Sequence, residues 1–386
     1  MIVHTDRPRV LVVSLGRLGG VTQYGFAMAK ALAAVADVAA ITSATAENRE
    51  KWGSIDIPHL EVATFSGIPG MLASYLSAGR FARIRRFASE FDLDIVYYPG
   101  GHAWKPVLDL VLPRRARIVL TVHDPDLHPG EDSLLHRLFH CANRRKADGY
   151  VLLNRGQSTA FVERHSLDPV RVAVIPHGVF DDFPRRFPPL GDVDHLAHIA
   201  PHAGRYLLFI GRIRPYKGID TLLRAYRDTP GLEDVPLVIA GSGEFSDEER
   251  ALLESLAERP VEVVNRWLEP EDISALVSSA RFVVLPYTSA TQSGVIPLAS
   301  AFGIPSIASD TGGLAEQVVD GETGLLFAVG DSVALGVALD RASQMDEADY
   351  RRMSGRAREH AETTWSWDRL ARQLLEFCES LTAENG

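Results

Sequence analysis

Phe209-Ile210-Gly211-Arg212-Ile213-Arg214-Pro215-Tyr216-Lys217-Gly218-Ile219-Asp220 is the stretch that decides the fold. An apolar run over 206–210 ends in glycine, two cations follow (Arg212 and Lys217), and a second glycine precedes a segment of helical period. Glycine lets a backbone turn tightly, so the stretch reads as a buried strand, a turn and a helix. A guanidinium matches phosphate oxygens with a planar fork, and lysine adds a compact positive charge. The competing reading is a pair of solvated loop cations.

Outward from this stretch the same unit repeats. Strands are expected after it at 236–240, 261–264, 281–285, 305–308 and 324–327. Before it they are expected at 9–15, 37–42, 60–65, 94–98, 117–122, 149–153 and 172–175. Segments of helical period lie between, such as 21–35, 71–91 and 132–146. Apolar strands alternating with helices define parallel sheets covered on both faces. The alternation breaks at 180–204, where Pro184, Pro188, Pro189 and Pro201 occur without clear periodicity, which reads as a linker. The expected class is α/β, with two Rossmann-like doubly wound domains at 1–185 and 186–364. A length of 386 residues supports two hydrophobic cores.

Composition narrows the function classes. Hydrophobic residues are 46% and charged residues 23%, an ordinary soluble globular balance. The formal net charge of -10 argues against a general nucleic-acid binder and leaves a local basic site open. Only Cys141 and Cys378 are present, too few for a disulfide framework or a Cys-based zinc site. That usage points to a reducing, cytoplasmic compartment. The apolar run after Arg9 has a strand's length, not that of a signal peptide's core. No apolar stretch reaches the roughly 18–20 residues of a membrane span.

In doubly wound sheets ligands bind beyond the carboxyl ends of the strands, so the residues following each strand are the candidates. After the first strand comes Gly16-Arg17-Leu18-Gly19-Gly20-Val21, leading into a helix whose N-terminus suits phosphate. A plain tight turn is the alternative, and the spacing is not the dinucleotide fingerprint. Later strands end in Ala240-Gly241-Ser242-Gly243-Glu244 and in Leu285-Pro286-Tyr287, followed by Thr291-Gln292-Ser293-Gly294-Val295. Small polar residues at a helix start either cap it or bind phosphate. Glu316 lies in Gly312-Gly313-Leu314-Ala315-Glu316, as a ligand contact or an ordinary helix residue. Thr121-Val122-His123-Asp124 closes a first-half strand, where His123 is suited to a sugar hydroxyl or a proton, or is structural. His177, in Ile175-Pro176-His177-Gly178-Val179, sets a turn. No spacing of metal ligands stands out, and no metal or other cofactor is expected.

Taken in order, these pieces resemble the retaining glycosyltransferases of family 4, which have the GT-B fold. The resemblance runs through Gly19-Gly20-Val21, Thr121-Val122-His123, Ile175-Pro176-His177-Gly178-Val179, Gly211-Arg212 with Tyr216-Lys217-Gly218, Ala240-Gly241-Ser242-Gly243, Gly312-Gly313-Leu314-Ala315-Glu316 and Asp320-Gly321-Glu322-Thr323-Gly324. It implies two domains facing a central cleft, with a nucleotide-sugar donor held mainly by the C-terminal one. Arg212 and Lys217 then bind the donor diphosphate, Gly19 and Gly20 approach the same phosphates, and His123 faces the transferred sugar. A last helix over 365–386 returns to the first domain. Transfer retains anomeric configuration without a bound metal, onto a hydroxyl acceptor.

One departure stands out. The family usually carries two glutamates separated by seven residues near 289–300, and this chain has neither. Gln292 and Ser293 are polar replacements within Thr291–Val295, and His177 replaces the usual asparagine before Gly178. Two alternatives to an active transferase follow: a degenerate nucleotide-sugar-binding subunit supporting a partner enzyme, and a GT-B nucleotide-sugar epimerase. Arg80-Phe81-Ala82-Arg83-Ile84-Arg85-Arg86-Phe87, with Arg114, Arg115, Arg117, Arg144, Arg145 and Lys146, also gives the first half a basic surface. It reads as a solvated helix face or as a peripheral contact with anionic lipid.

Overall fold

The computed structural model describes residues 7–123, 142–143, 146–179, 190–290 and 292–383. Asp124, Cys141, Arg144, Arg145, Pro184, Pro188, Pro189, Thr291 and most of the expected helix 132–146 lie outside the described residues. Two compact units divide the chain: Met1–Pro176 with Trp367–Gly386, and His177–Ser366. The boundaries expected from sequence were 185/186 and 364/365.

The first unit holds a seven-stranded sheet in the order β3-β2-β1-β4-β5-β6-β7. Its strands are β1 (Arg9–Ser14), β2 (Asp37–Ser43), β3 (His59–Val62), β4 (Ile95–Tyr98), β5 (Arg117–Val122), β6 (Gly149–Leu152) and β7 (Val172–Val174). Side chains alternate across β1, and both faces are covered. Val10 and Val12 share a core with residues of the helix Gly20–Val35 and the final helix Trp367–Ala383. Leu11 and Val13 point the other way, into a core that includes Phe81, Ile84 and Ala88 of the helix Ala78–Ser89. This two-sided burial is why the strands read as unbroken apolar runs.

The second unit holds a six-stranded sheet in the order β10-β9-β8-β11-β12-β13. Its strands are β8 (Leu207–Ile210), β9 (Leu237–Ala240), β10 (Val261–Val264), β11 (Phe282–Leu285), β12 (Ser306–Ser309) and β13 (Gly324–Phe327). Every pairing in both sheets is parallel. In each sheet the order reverses beside the first strand, between β1 and β4 and between β8 and β11. The loops leaving the two strands diverge there, which opens a place for a ligand.

Every strand expected from sequence is present. Two other expectations are corrected. The segment 71–91 is not one helix: Gly67–Ser74 and Ala78–Ser89 are separate. The break is held by polar contacts, with Trp104 Nε1 donating to Ser74 Oγ at 2.7 Å and Arg80 donating to the Ser74 carbonyl at 3.2 Å. The described part of the expected linker is also not loose. It forms three 3₁₀ turns, Leu190–Asp192, Asp194–Leu196 and Ala200–His202. Leu190, Val193, Leu196 and Ile199 are buried in the second core. Their spacing of three is the 3₁₀ period, which a search for periods of 2 or 3.6 passes over.

Candidate active site

The candidate residues fall at the carboxyl ends of the two sheets. In the second unit, the loops after β8, β9 and β10 are laced together by backbone. Ile213 N–H donates to the Ser242 carbonyl at 2.9 Å, and Gly241 N–H to the Val264 carbonyl at 2.9 Å. Asn265 closes the set, accepting from Gly243 N–H at 3.2 Å and donating to its carbonyl at 3.1 Å. Gly241 has φ +143°, and a Cβ there would stand 1.8 Å from the Gly211 carbonyl oxygen. Only glycine fits this crossing.

Arg212 lies exposed on the loop after β8. Lys217 ends the 3₁₀ turn Pro215–Lys217, and its Nζ is 3.7 Å from the centroid of the Tyr287 ring and 5.0 Å from that of Tyr216. Neither cation has a carboxylate partner among the described residues. Several other arginines of this unit do: Arg224 pairs with Asp220 at 2.7 Å and with Glu248, Arg266 with Asp272 at 2.8 Å, and Arg281 with Glu347 at 2.9 Å. Positive charge is thus left uncompensated at the switch point of a chain that is acidic overall.

The run after β11 divides between support and site. Ser293 is buried, and the Gln317 side chain grips its backbone from both sides. Ser293 N–H donates to Gln317 Oε1 at 3.0 Å, and Gln317 Nε2 donates to the Ser293 carbonyl at 2.9 Å. The Ser293 hydroxyl accepts from Val295 N–H at 3.2 Å, so it caps the helix Val295–Ala301. Gly294 is that helix's N-cap residue, and Gln292 is half-buried, its Oε1 without a hydrogen-bond partner among the described residues. Thr291 is outside the described residues. Glu316 is exposed on the short helix Gly312–Gln317. Sequence reasoning chose Glu316 and passed over its buried neighbour Gln317, which nothing local marks.

In the first unit, Gly19 has φ +86° and turns the chain into the helix Gly20–Val35. Its N–H donates to Glu47 Oε1 at 2.9 Å, and the Thr22 hydroxyl donates to the same oxygen at 3.0 Å. Glu47 was not foreseen, since it follows β2 and is distant in sequence. A Cβ at Gly20 would meet nothing within 4 Å, so Gly20 is not required by packing.

His123 follows β5 and is half-buried. Its Nε2 lies 2.8 Å from the Pro99 carbonyl, and since a carbonyl only accepts, that nitrogen carries the hydrogen. The Tyr24 ring meets the imidazole edge-on, with centroids 4.9 Å apart. Beneath it runs a buried hydroxyl chain: Tyr97 donates to Tyr24 at 3.3 Å and lies 2.7 Å from Thr121 Oγ1. Burial raises the Tyr24 phenol above its ordinary pKa and the Tyr97 phenol well above it. The pair is therefore a fixed neutral floor under His123. His177 is buried with Nδ1 2.8 Å from the Gly178 carbonyl, as suits a residue setting a turn.

Residues 194–360 match the family model described as glycosyl transferases group 1, and residues 18–183 match glycosyltransferase family 4. With two Rossmann-like doubly wound domains, these matches define a glycosyltransferase of the GT-B fold class. The chain belongs to glycosyltransferase family 4.

It is similar to the D-inositol 3-phosphate glycosyltransferase of Salinispora tropica, 28% identical over 402 aligned residues, covering 96% of this chain and 83% of that protein. The protein of the same name from Nocardia farcinica is 34% identical over 245 residues, 60% of this chain and 52% of its own. Among solved structures, Anabaena Alr3699/HepE in complex with UDP and glucose has a TM-score of 0.72 at 20% identity, covering 97% of this chain and 100% of that one. Sucrose-phosphate synthase from Thermosynechococcus elongatus has a TM-score of 0.69 at 22% identity, covering 98% and 100%. No described helix is long and apolar enough to cross a membrane.

Proposed function

We propose that the protein transfers a hexose from a nucleoside-diphosphate sugar to a hydroxyl acceptor with retention of anomeric configuration. The observation that carries this reading is the uncompensated pair Arg212 and Lys217 at the second sheet's switch point. The bond from the sugar's anomeric carbon to the diphosphate breaks, and the acceptor oxygen bonds to that carbon on the same face. The acceptor proton passes to the leaving phosphate. Negative charge grows on the diphosphate as the bond breaks, and fixed cations there stabilise the transition state more than the ground state. In this reading Arg212 and Lys217 supply that charge without a metal ion. Gly241 lets the backbone come close, Gln292, Gly294, Val295 and Glu316 contact the donor, and Ser293 shapes their loop. Gly19 forms the turn that presents the open backbone of Gly20 to phosphate. His123, held by Pro99 and Tyr24, contacts the transferred sugar.

A thermal-shift screen over UDP-, GDP-, ADP- and dTDP-sugars and their diphosphates tests the proposal. One nucleotide class is expected to stabilise the protein by about 2.7 kcal/mol at a hundredfold excess over Kd. Proton NMR of the product's anomeric signal then reports retention. No shift with any nucleoside diphosphate sinks the donor reading. Binding without turnover on any acceptor points to a supporting subunit, and an isomerised donor formed without acceptor to an epimerase.

A specific observation also favours contact with a membrane surface. The helix Gly67–Ser74 exposes Ile68 (54%) and Leu72 (61%) one turn apart, and Leu76 just beyond is 87% exposed. The next helix exposes Arg83 and Arg85, which have no carboxylate partner among the described residues. Arg115 and Arg117, by contrast, are paired with Asp92 and Asp148. Exposed apolar side chains followed along the chain by exposed arginines suit the boundary of an anionic bilayer. The protein is expected to sediment with vesicles containing anionic lipid at low salt, and Leu72→Ser to weaken this. Equal recovery in the supernatant with and without anionic vesicles removes the idea.

A further inference from the structure

We propose that Tyr287 is the positioning residue of Lys217, an aromatic platform that fixes the ammonium without neutralising it. The inference rests on the donor-site reading above. A lysine on a loop has a flexible four-carbon stem and needs a partner to hold one position. A carboxylate partner would hold it and cancel its charge, as Asp220 and Glu248 do for Arg224 in the following helix. A ring face holds a cation through its quadrupole and leaves the full charge for a ligand.

The geometry meets this requirement. Lys217 Nζ stands 3.7 Å from the Tyr287 ring centroid and 5.0 Å from that of Tyr216. The two rings are 80° apart with centroids at 6.4 Å, forming a corner around the ammonium. Tyr287 is itself rigid, being 1% exposed. The Ser309 hydroxyl donates to the Tyr287 main-chain carbonyl at 2.6 Å, tying the backbone that carries the ring to β12. Thr288 N–H donates to the Tyr216 carbonyl at 2.8 Å, tying the end of β11 to the turn that carries the lysine. The backbone that carries the platform and the turn that carries the cation are therefore each tied in place. The Tyr287 hydroxyl is buried and takes no hydrogen-bond partner among the described residues, so the ring is the working part.

The test compares Tyr287→Phe, Tyr287→Met, Tyr287→Leu and Lys217→Ala. Affinities are measured for UDP, GDP and ADP, each against its monophosphate, and the ratio isolates the contribution of the outer phosphate. Phenylalanine keeps the ring and is expected to keep the ratio within about twofold. Methionine and leucine fill the core without a π face and are expected to lower the ratio about five- to tenfold, in the direction of Lys217→Ala. Methionine adapts to the cavity more readily, so it decides the matter if the leucine variant is poorly folded. A ratio unchanged in Tyr287→Met but lowered in Lys217→Ala overturns the platform while leaving the donor site standing. A ratio unchanged in Lys217→Ala removes the donor-site reading, and the platform with it.

Discussion

Arg212→Ala and Lys217→Ala are each expected to lower sugar transfer by about two to three orders of magnitude, the usual cost of removing one preorganised charge from a transition state. The fold should be nearly unaffected. Arg212 is exposed and outside the hydrophobic core, so its loss should change stability by no more than about 0.5 kcal/mol, whereas Lys217→Ala also gives up the contact with the Tyr287 ring, worth about 1 kcal/mol. The loss should appear mainly in kcat if the cations act on charge that develops as the diphosphate leaves, and in KM if they only bind the donor. The double variant should lose less than the product of the two single losses, because both cations act on one diphosphate. Initial rates at saturating donor, with thermal unfolding of each variant alongside, check the expectation. Near-normal turnover in both single variants would end the reading of this pair as the anchor of the leaving group.

Gly241→Ala is the second large effect, and it acts on structure first. Its Cβ would lie 1.8 Å from the Gly211 carbonyl oxygen and 2.7 Å from the carbon, both backbone atoms of the neighbouring strand's exit. The residue's φ of +143° is closed to an L side chain. The β8 and β9 loops must part, breaking the bond between Ile213 and Ser242, at an expected cost of about 3 kcal/mol or more. Donor affinity should fall with it, since Arg212 rides on the displaced loop. Gly20→Ala is the matched control, because its Cβ meets no atom and it lies at the start of a helix. That change should be neutral to stabilising by up to about 1 kcal/mol, while transfer falls if the backbone approaches phosphate there. Urea midpoints of the two variants decide: a Gly241→Ala midpoint equal to wild type contradicts the packing argument.

Much of the candidate site was legible because this fold places ligands after strands, and strands announce themselves. Arg212, Gly241 and His123 follow expected strands directly or within two residues, and Lys217 lies farther along the same loop as Arg212. Ser293 was legible as a polar residue that either caps a helix start or binds phosphate, but what holds it was not. Its hydroxyl serves Val295, and its backbone is held by Gln317, which lies beyond another strand. Glu47 was invisible for the same reason, since its tie to Gly19 joins the ends of β1 and β2. The segment 190–204 was misread because its apolar spacing of three belongs to neither regular helix nor strand.

The sequence by itself determined the strands, their order and the doubly wound class, because each depends on local periodicity and on turn glycines. It also placed two cations beyond a strand. Only the tertiary structure decided what those cations meet. Arg212 has no carboxylate partner among the described residues, and Lys217 stands on the buried ring of Tyr287, seventy residues along the chain. Pairing of side chains is a long-range outcome of how parallel strands are ordered in a sheet. Neighbours in the sheet, such as β8 and β11, need not be neighbours in sequence, so what compensates or spares a charge is settled only when the sheet has formed.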